Sequence, residues 1–364
     1  MIPQRRVKKV YVQHFDEEVK IEEKFPVGNE EERYVYQISH KDKTYILKGF
    51  RIQLRQLNPD NKETVKFFEE SLIQISEVFQ EFHFSRAANL LNPHIAAPLF
   101  LDFKIELPKN RASCFWMHIQ IIFEYGGIAL GELRPTGIEL TYNLMRQSAN
   151  ALFLLHNLGI AHLDIKPDNM VYDEEKDLLK IVDMGSAFGR SNQKSLSATT
   201  VNLVGKVRTA TREFTPPEVL LMGKSSINSE SNLILPAIDV YCWGMSFFAL
   251  FTNRDNVELK MYCDSYKKRS ISDYEGFKEA VKINFKSIKA KNDKENDLKT
   301  FIQTLLNKAL KYKPRKRPNF KKLITMMREF EEENEYKIKY SKKERKHDRE
   351  VSNLYMLNDK VDNI

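Results

Sequence analysis

The residues with the most chemical content lie in one short stretch, Gly159-Ile-Ala-His-Leu-Asp-Ile-Lys-Pro-Asp-Asn-Met-Val-Tyr172. Asp164, Lys166 and Asn169 fall within six residues there, behind a helical pattern and ahead of an apolar pair. A polar turn at Asp173–Asp177 separates Met170-Val-Tyr from Leu178-Leu-Lys-Ile-Val182, so the spacing predicts a short hairpin ending at Asp183-Met-Gly185. A hairpin returns its ends to one place, which puts Asn169 and Asp183 side by side. An amide oxygen and a carboxylate held together, with room for water, suit Mg2+ bound through phosphates. Asp164 is then placed to accept a proton from an incoming hydroxyl, and Lys166 to neutralise charge on a phosphoryl group in transit.

Those side chains need a scaffold, and the pattern of the chain supplies one in two parts. Residues 1–24 are polar and mixed in charge, and read as a leader. Arg33-Tyr-Val-Tyr-Gln-Ile and Thr44-Tyr-Ile-Leu-Lys-Gly-Phe are rich in β-branched and aromatic residues around the polar turn His40-Lys-Asp-Lys, which predicts a hairpin. Residues 64–91 read as one or more helices, and strands are expected near Ala97–Glu106 and Cys114–Tyr125 before Gly126-Gly127 breaks the chain. Beyond that break the period changes. In Thr141–Asn157 the apolar residues Leu144, Met145, Ala151, Leu152 and Leu155 share one helical face, with Thr141 as the expected N-cap and Gly159 as the stop. Ile238–Phe251 is apolar nearly all round, which predicts a buried central helix. The last 34 residues mix both charge signs and read as a tail.

Composition narrows the classes. The chain has 364 residues, 42% hydrophobic and 30% charged, which suits one large or two ordinary folded domains. Its longest apolar run, Val240–Phe251, is shorter than the ~18 residues of a membrane span. The basic N-terminus lacks the apolar core of a secretory signal. Cys114, Cys242 and Cys263 are widely spaced and form neither a disulfide framework nor a zinc motif, which predicts a reducing, intracellular setting in cytoplasm or nucleus. The net charge of +8 is concentrated between residues 251 and 322, where 20 basic residues face 9 acidic ones. That block reads as lysines solvating helix surfaces, with a patch for an acidic partner as the alternative. No aromatic-interleaved basic motif of a nucleic-acid module accompanies it.

Five motifs in order resemble those of the eukaryotic protein kinase family. They are His162-Leu163-Asp164-Ile165-Lys166 through Asn169, then Asp183-Met184-Gly185, Pro216-Pro217-Glu218, Asp239-Val240-Tyr241-Cys242-Trp243-Gly244, and Lys313-Pro-Arg-Lys-Arg317-Pro318. The resemblance covers about residues 25–330. It implies an α+β, two-lobed protein-kinase-like fold, with a small β-rich N-lobe (25–124) carrying one main helix and a larger, mostly helical C-lobe (125–330), between the leader 1–24 and a charged tail 331–364. It also implies a serine/threonine kinase that uses ATP and Mg2+ on a protein hydroxyl. Asp164, Lys166 and Lys48 would be catalytic, and Asn169 and Asp183 would hold the metal. Lys48 would hold the ATP phosphates, paired with Glu81, or Glu77 as runner-up. Gly28, Val35, Ile46, Glu124, Tyr125 and Val171 would complete the nucleotide site. Glu218 and Arg317 would form a buried structural ion pair, Trp243 and Tyr241 would pack the core, and His162 would pack rather than act as a base.

The departures from the family pattern have physical consequences. The glycine-rich loop becomes Gly28, Glu30 and Arg33, which limits close approach of backbone to phosphate and adds one charge of each sign. Ile46 stands where the family keeps a small alanine. Leu163 replaces the arginine that pairs with a phosphorylated activation loop, so control by that route is not expected, although Ser195, Ser197, Thr199 and Thr200 are available acceptors. These changes motivate a second expectation, a pseudokinase or scaffold with little or no turnover. Thr211 stands at the family's substrate-facing threonine, which with Lys166 favours serine or threonine acceptors over tyrosine.

Overall fold

A computed structural model describes residues 8–26, 32–55, 58–106, 114–133, 137–189, 212–222, 235–252 and 288–336. The chain divides into two compact units, Met1–Gly126 and Gly127–Ile364. The architecture is α+β, a curled antiparallel sheet with one long helix followed by a mostly helical unit, as the two-lobed kinase-like expectation requires.

The first unit is a six-stranded sheet in the order β1-β2-β3-β4-β6-β5. Its strands are β1 (Lys9–Val12), β2 (Glu17–Phe25), β3 (Arg33–His40), β4 (Lys43–Arg55), β5 (Pro98–Glu106) and β6 (Cys114–Glu124). The hairpin expected at 33–50 is β3–β4, with Lys41 and Asp42 at φ 47° and 60° in its turn. Two central residues at positive φ match the right-handed twist of the paired strands. The expected leader is a correction. Lys9–Val12 and Glu17–Phe25 are paired strands, with Val10, Val12 and Val19 packed on Ile38, Leu47 and Ile122. Charged residues alternate with these few valines, so composition hid a period-2 pattern that buries only one face.

The helix α1 (Lys62–Leu91) runs unbroken for 30 residues. Asn61 Oδ1 caps it by accepting from the Glu63 N–H at 2.9 Å and the Thr64 N–H at 3.4 Å. Ser71 donates to the Gln53 carbonyl at 2.9 Å, which ties the first half of the helix to β4.

In the second unit, α2 (Leu130–Leu133) is a single turn, and α3 (Ile138–Asn157) and α5 (Leu235–Thr252) form the centre. They are joined by α4 (Pro217–Met222), α6 (Asp293–Ala309) and α7 (Phe320–Glu333). The apolar stretch around Trp243 is buried from Ile238 to Phe251 except at the half-buried Leu250, as its all-round hydrophobicity predicts, and the Trp243 indole N–H donates to Ser148 Oγ at 2.9 Å. Thr141 is not the N-cap of α3. Gly137 holds that position at φ 115°, and Thr141 Oγ1 donates back to its carbonyl at 2.8 Å. The helix therefore starts one turn earlier, on residues whose apolar spacing was too short to read. Gly159 ends the region at φ 73°, as expected of a stop. The expected tail also begins later than residue 331. Helix α7 continues to Glu333, Tyr142 donates to Glu331 at 2.8 Å, and Tyr336 donates to Glu139 at 3.0 Å. Residues 337–364 lie outside the described residues. Among the described residues no helix is long and apolar enough to cross a membrane.

Glu218 and Arg317 pair as expected. The Arg317 guanidinium donates to both Glu218 oxygens at 2.6 and 2.7 Å, and to the carbonyls of Lys311, Tyr312 and Ala237 at 2.7 to 3.0 Å. Lysine keeps the charge but cannot reproduce this fork. Arg317→Lys is expected to cost about 2 kcal/mol, read as a lower urea midpoint with unchanged slope. A midpoint shift near zero would show that the fork adds nothing beyond charge.

Candidate active site

The site is built where α3 ends. Gly159 turns the chain into β8 (Ile160–Ala161), which pairs with β11 (Phe188–Gly189) and brings the segments around 162 and 185 together. Leu163 then adopts φ 66° with its side chain fully buried. A left-handed, non-glycine residue costs roughly 1–2 kcal/mol, so something must hold it. Asp239, fully buried on α5, accepts from the His162 N–H at 2.8 Å and the Leu163 N–H at 2.7 Å. The same carboxylate meets His156 Nε2 at 2.8 Å. His162 is structural, as expected. Its Nδ1 accepts from the Asp164 N–H at 3.3 Å, which leaves Nε2 protonated to donate to the Val182 carbonyl at 3.0 Å.

Beyond that braced turn the polar residues converge. Lys166 Nζ lies 3.0 Å from Asp164 Oδ2. Asn169 Nδ2 donates to the Asp164 carbonyl at 2.8 Å and to its Oδ2 at 3.1 Å. The predicted hairpin is β9 (Met170–Asp173) and β10 (Leu178–Ile181), with Met170 opposite Ile181. Its open end is closed by the Val182 N–H donating to the Asn169 carbonyl at 3.0 Å. Asn169 and Asp183 are thereby neighbours across that end. Asp183 is left-handed at φ 65°, at the start of a turn that buries Met184.

Three polar residues of α3 that the sequence pattern did not single out pin the far end of the hairpin. Asn143 donates to Asp177 Oδ1 at 3.0 Å, Gln147 donates to the Asp177 carbonyl at 3.2 Å, and Gln147 Oε1 accepts from the Leu179 N–H at 2.8 Å. Arg146 steadies Asn143 at 3.1 Å. The signal available for them was polar residues on the apolar face of a helix. Gly127 sits beside this hairpin at φ 110°, where a Cβ would collide with the Tyr172 carbonyl. Cys242 is the buried thiol nearest in sequence to Asp239. Burial raises its pKa well above the ordinary value, with the Asp239 and Asp164 charges adding to the effect, which makes it a poor nucleophile at neutral pH.

In the first unit, Lys48 Nζ and Glu81 Oε1 are 2.5 Å apart, with both side chains largely shielded from solvent. Glu77 is only half-buried, and it is Glu81 that meets the lysine. Lys48 pairs across the sheet with Val35 and Ile121, and Ile46 with Phe123. Glu124 is the last residue of β6 and its Oε1 accepts from the Ala97 N–H at 3.4 Å, while Tyr125 follows, half-buried. Val171 on β9, in the second unit, pairs with Ala129 of the short strand β7 (Ile128–Ala129) and is half-buried. Gly28, Glu30, Ser195, Ser197, Thr199, Thr200 and Thr211 lie outside the described residues. Arg33 is described, with its guanidinium 6.0 Å from the Phe50 ring centre.

The donor set restricts what metal could be held. Among the described residues no three His, Cys, Asp or Glu side chains cluster as a metal cage. A carboxylate and an amide oxygen at the open end of a hairpin fit instead a hard cation that takes its remaining ligands from phosphate and water, as Mg2+ does. The Asn169 amide suits that use, because its nitrogen is spent on Asp164 and an amide oxygen is a hard ligand.

Residues 126–327 match the protein kinase domain family. The serine/threonine-protein kinase prpf4B of Dictyostelium discoideum is 31% identical over 162 residues, 42% of this chain and 19% of that protein. CTD kinase subunit alpha of Schizosaccharomyces pombe is 35% identical over 153 residues, 41% and 23% of the two chains. Serine/threonine-protein kinases drp72 of Corynebacterium efficiens is 27% identical over 203 residues, 54% and 34%. The matched stretches thus span between about a fifth and a third of these relatives' own lengths.

Proposed function

Since the chain belongs to the protein kinase domain family, we propose that it is an intracellular, Mg2+-dependent protein serine/threonine kinase that moves the γ-phosphoryl group of ATP to a protein hydroxyl. The observation that carries this reading is the arrangement around Asp164, whose carboxylate is oriented by Lys166 and Asn169 on a turn braced by Asp239. Asp164 orients the acceptor hydroxyl and takes its proton. Lys166 sits beside that carboxylate and balances charge on the phosphoryl group as it passes. Asn169 and Asp183 would hold the Mg2+, which would supply positive charge to offset that of the ATP phosphates. Lys48, paired with Glu81 in the first unit, would supply a further cation for the ATP phosphates, as the family resemblance implies. Positioning and electrostatics then supply most of the rate, as in phosphoryl transfer generally. Lys166 and the names of the relatives favour serine or threonine as acceptor.

Titrating Mg-ATP against thermal unfolding tests this reading against a scaffold role. A nucleotide at about 100 times its dissociation constant adds roughly 2.7 kcal/mol, or a rise of about 5–10 °C for a unit of this size. Labelled ATP with a hydroxyl-bearing peptide should then give labelled peptide. No shift at millimolar Mg-ATP would favour the scaffold, and phosphate released to water without labelled peptide would favour a nucleotidase.

A further inference from the structure

Gly49 follows Lys48, and a Cβ at Gly49 would overlap the Tyr34 ring, which lies over it. Tyr34, Gly49 and Gln120 are cross-strand neighbours on β3, β4 and β6. The missing side chain lets the ring cross β4, so that the Tyr34 hydroxyl accepts from Gln120 Nε2 at 2.9 Å. Burial raises the Tyr34 pKa, which keeps the group a neutral hydroxyl. Gln120 is 5% exposed, and both the nitrogen and the oxygen of its amide are hydrogen-bonded. The same Nε2 donates to the Tyr11 carbonyl at 3.0 Å, and Oε1 accepts from the Gln13 N–H at 2.9 Å. Both partners belong to the β1–β2 hairpin, whose turn is fastened further by His14 stacked on Phe100 at 3.4 Å and lying 3.4 Å from Asp102.

Successive residues of a strand face opposite sides of its sheet. The row Val35–Lys48–Ile121 therefore lies on one face, and Tyr34–Gly49–Gln120 lies directly behind it, one residue away on each of the same three strands. Any slip of β3 or β6 against β4 would orphan a buried donor or acceptor, and that penalty stiffens the register of these strands.

We propose that Gln120 and Tyr34 are positioning residues for Lys48, and that the hairpin at residues 9–25 is part of the nucleotide grip because its turn completes their network. The proposal rests on the protein-kinase reading and adds to it a role for the N-terminal hairpin.

The test uses the full chain with Gln120→Met, Gly49→Ala and Tyr34→Phe, reading the dissociation constant for Mg-ATP by calorimetry and amide hydrogen exchange at residues 47–50. Gln120→Met is expected to weaken Mg-ATP about tenfold, and to speed exchange at Lys48 and Gly49 to a similar degree. Gly49→Ala, which displaces the ring, should act in the same direction. Tyr34→Phe keeps the ring and removes one bond, so a loss of about threefold is expected, and it remains informative should the other variants fold poorly. A lowered melting temperature with unchanged affinity would mean that the network merely holds the sheet together, which overturns the role. A wild-type chain that binds no Mg-ATP overturns the kinase reading and this role together. A wild-type chain that binds, with variants that bind equally well, overturns this role alone.

Discussion

Replacing Asp164 with asparagine is expected to slow phosphoryl transfer roughly a thousandfold while leaving Mg-ATP binding and the melting temperature close to those of the parent. The two side chains have the same shape. Asparagine can still present one oxygen to Lys166 Nζ and Asn169 Nδ2, which lie 3.0 and 3.1 Å from Asp164 Oδ2. The Asp164 carbonyl, which accepts from Asn169 at 2.8 Å, is untouched. What disappears is the negative charge and the basicity, the two properties that a proton acceptor for the hydroxyl requires. Steady-state transfer to a peptide, paired with the Mg-ATP thermal shift, separates this from a folding defect. Turnover equal to that of the parent would remove Asp164 from the chemistry, and loss of the thermal shift would assign it to nucleotide binding instead.

Sequence could place Asp164, Lys166, Asn169 and Asp183 because their arrangement is local. A turn, two short apolar runs and a second turn are enough to bring 169 and 183 together, and the register of β9 on β10 repeats that spacing. Lys48 and Glu81 were legible only through the family resemblance, which implied the lysine's role and left Glu77 as runner-up to Glu81. Contacts that depend on distant partners were not legible. Nothing local shows that Asp239 reaches back to the backbone of His162, 77 residues away, or that the Gln120 amide is completed by the N-terminal hairpin. The strands β1 and β2 were hidden for a related reason. Each buries very few side chains among many charges, so they become recognisable as strands only once Ile38 and Leu47 stand opposite them. Helix starts failed in a smaller way, since Thr141 has the chemistry of a cap but spends its hydroxyl on the Gly137 carbonyl.

Asp239→Asn is expected to damage both stability and turnover, through one physical cause. The carboxylate presents two acceptor oxygens to the N–H groups of His162 and Leu163 and to the His156 ring, with no solvent to substitute for it. An amide replaces one oxygen with a donor. At least one buried N–H then faces another N–H, and the left-handed turn at Leu163 loses half of its support. Breaking a buried charged network in this way costs about 3–5 kcal/mol, visible as a large fall in the urea midpoint. The catalytic loss should persist well below the melting temperature, where the variant is folded. Asp164 directly follows Leu163, and a displacement of about 1 Å at such a group can cost on the order of a hundredfold in rate. His156→Gln removes the ring partner but leaves both backbone N–H bonds to Asp239, so its cost should be nearer 1 kcal/mol, with a far smaller loss of turnover. That grading distinguishes the two functions of the aspartate. If Asp239→Asn lost stability but transferred phosphate at the parental rate, the geometry of the turn would have to be set by Leu163 packing and by His162 on Val182, rather than from α5.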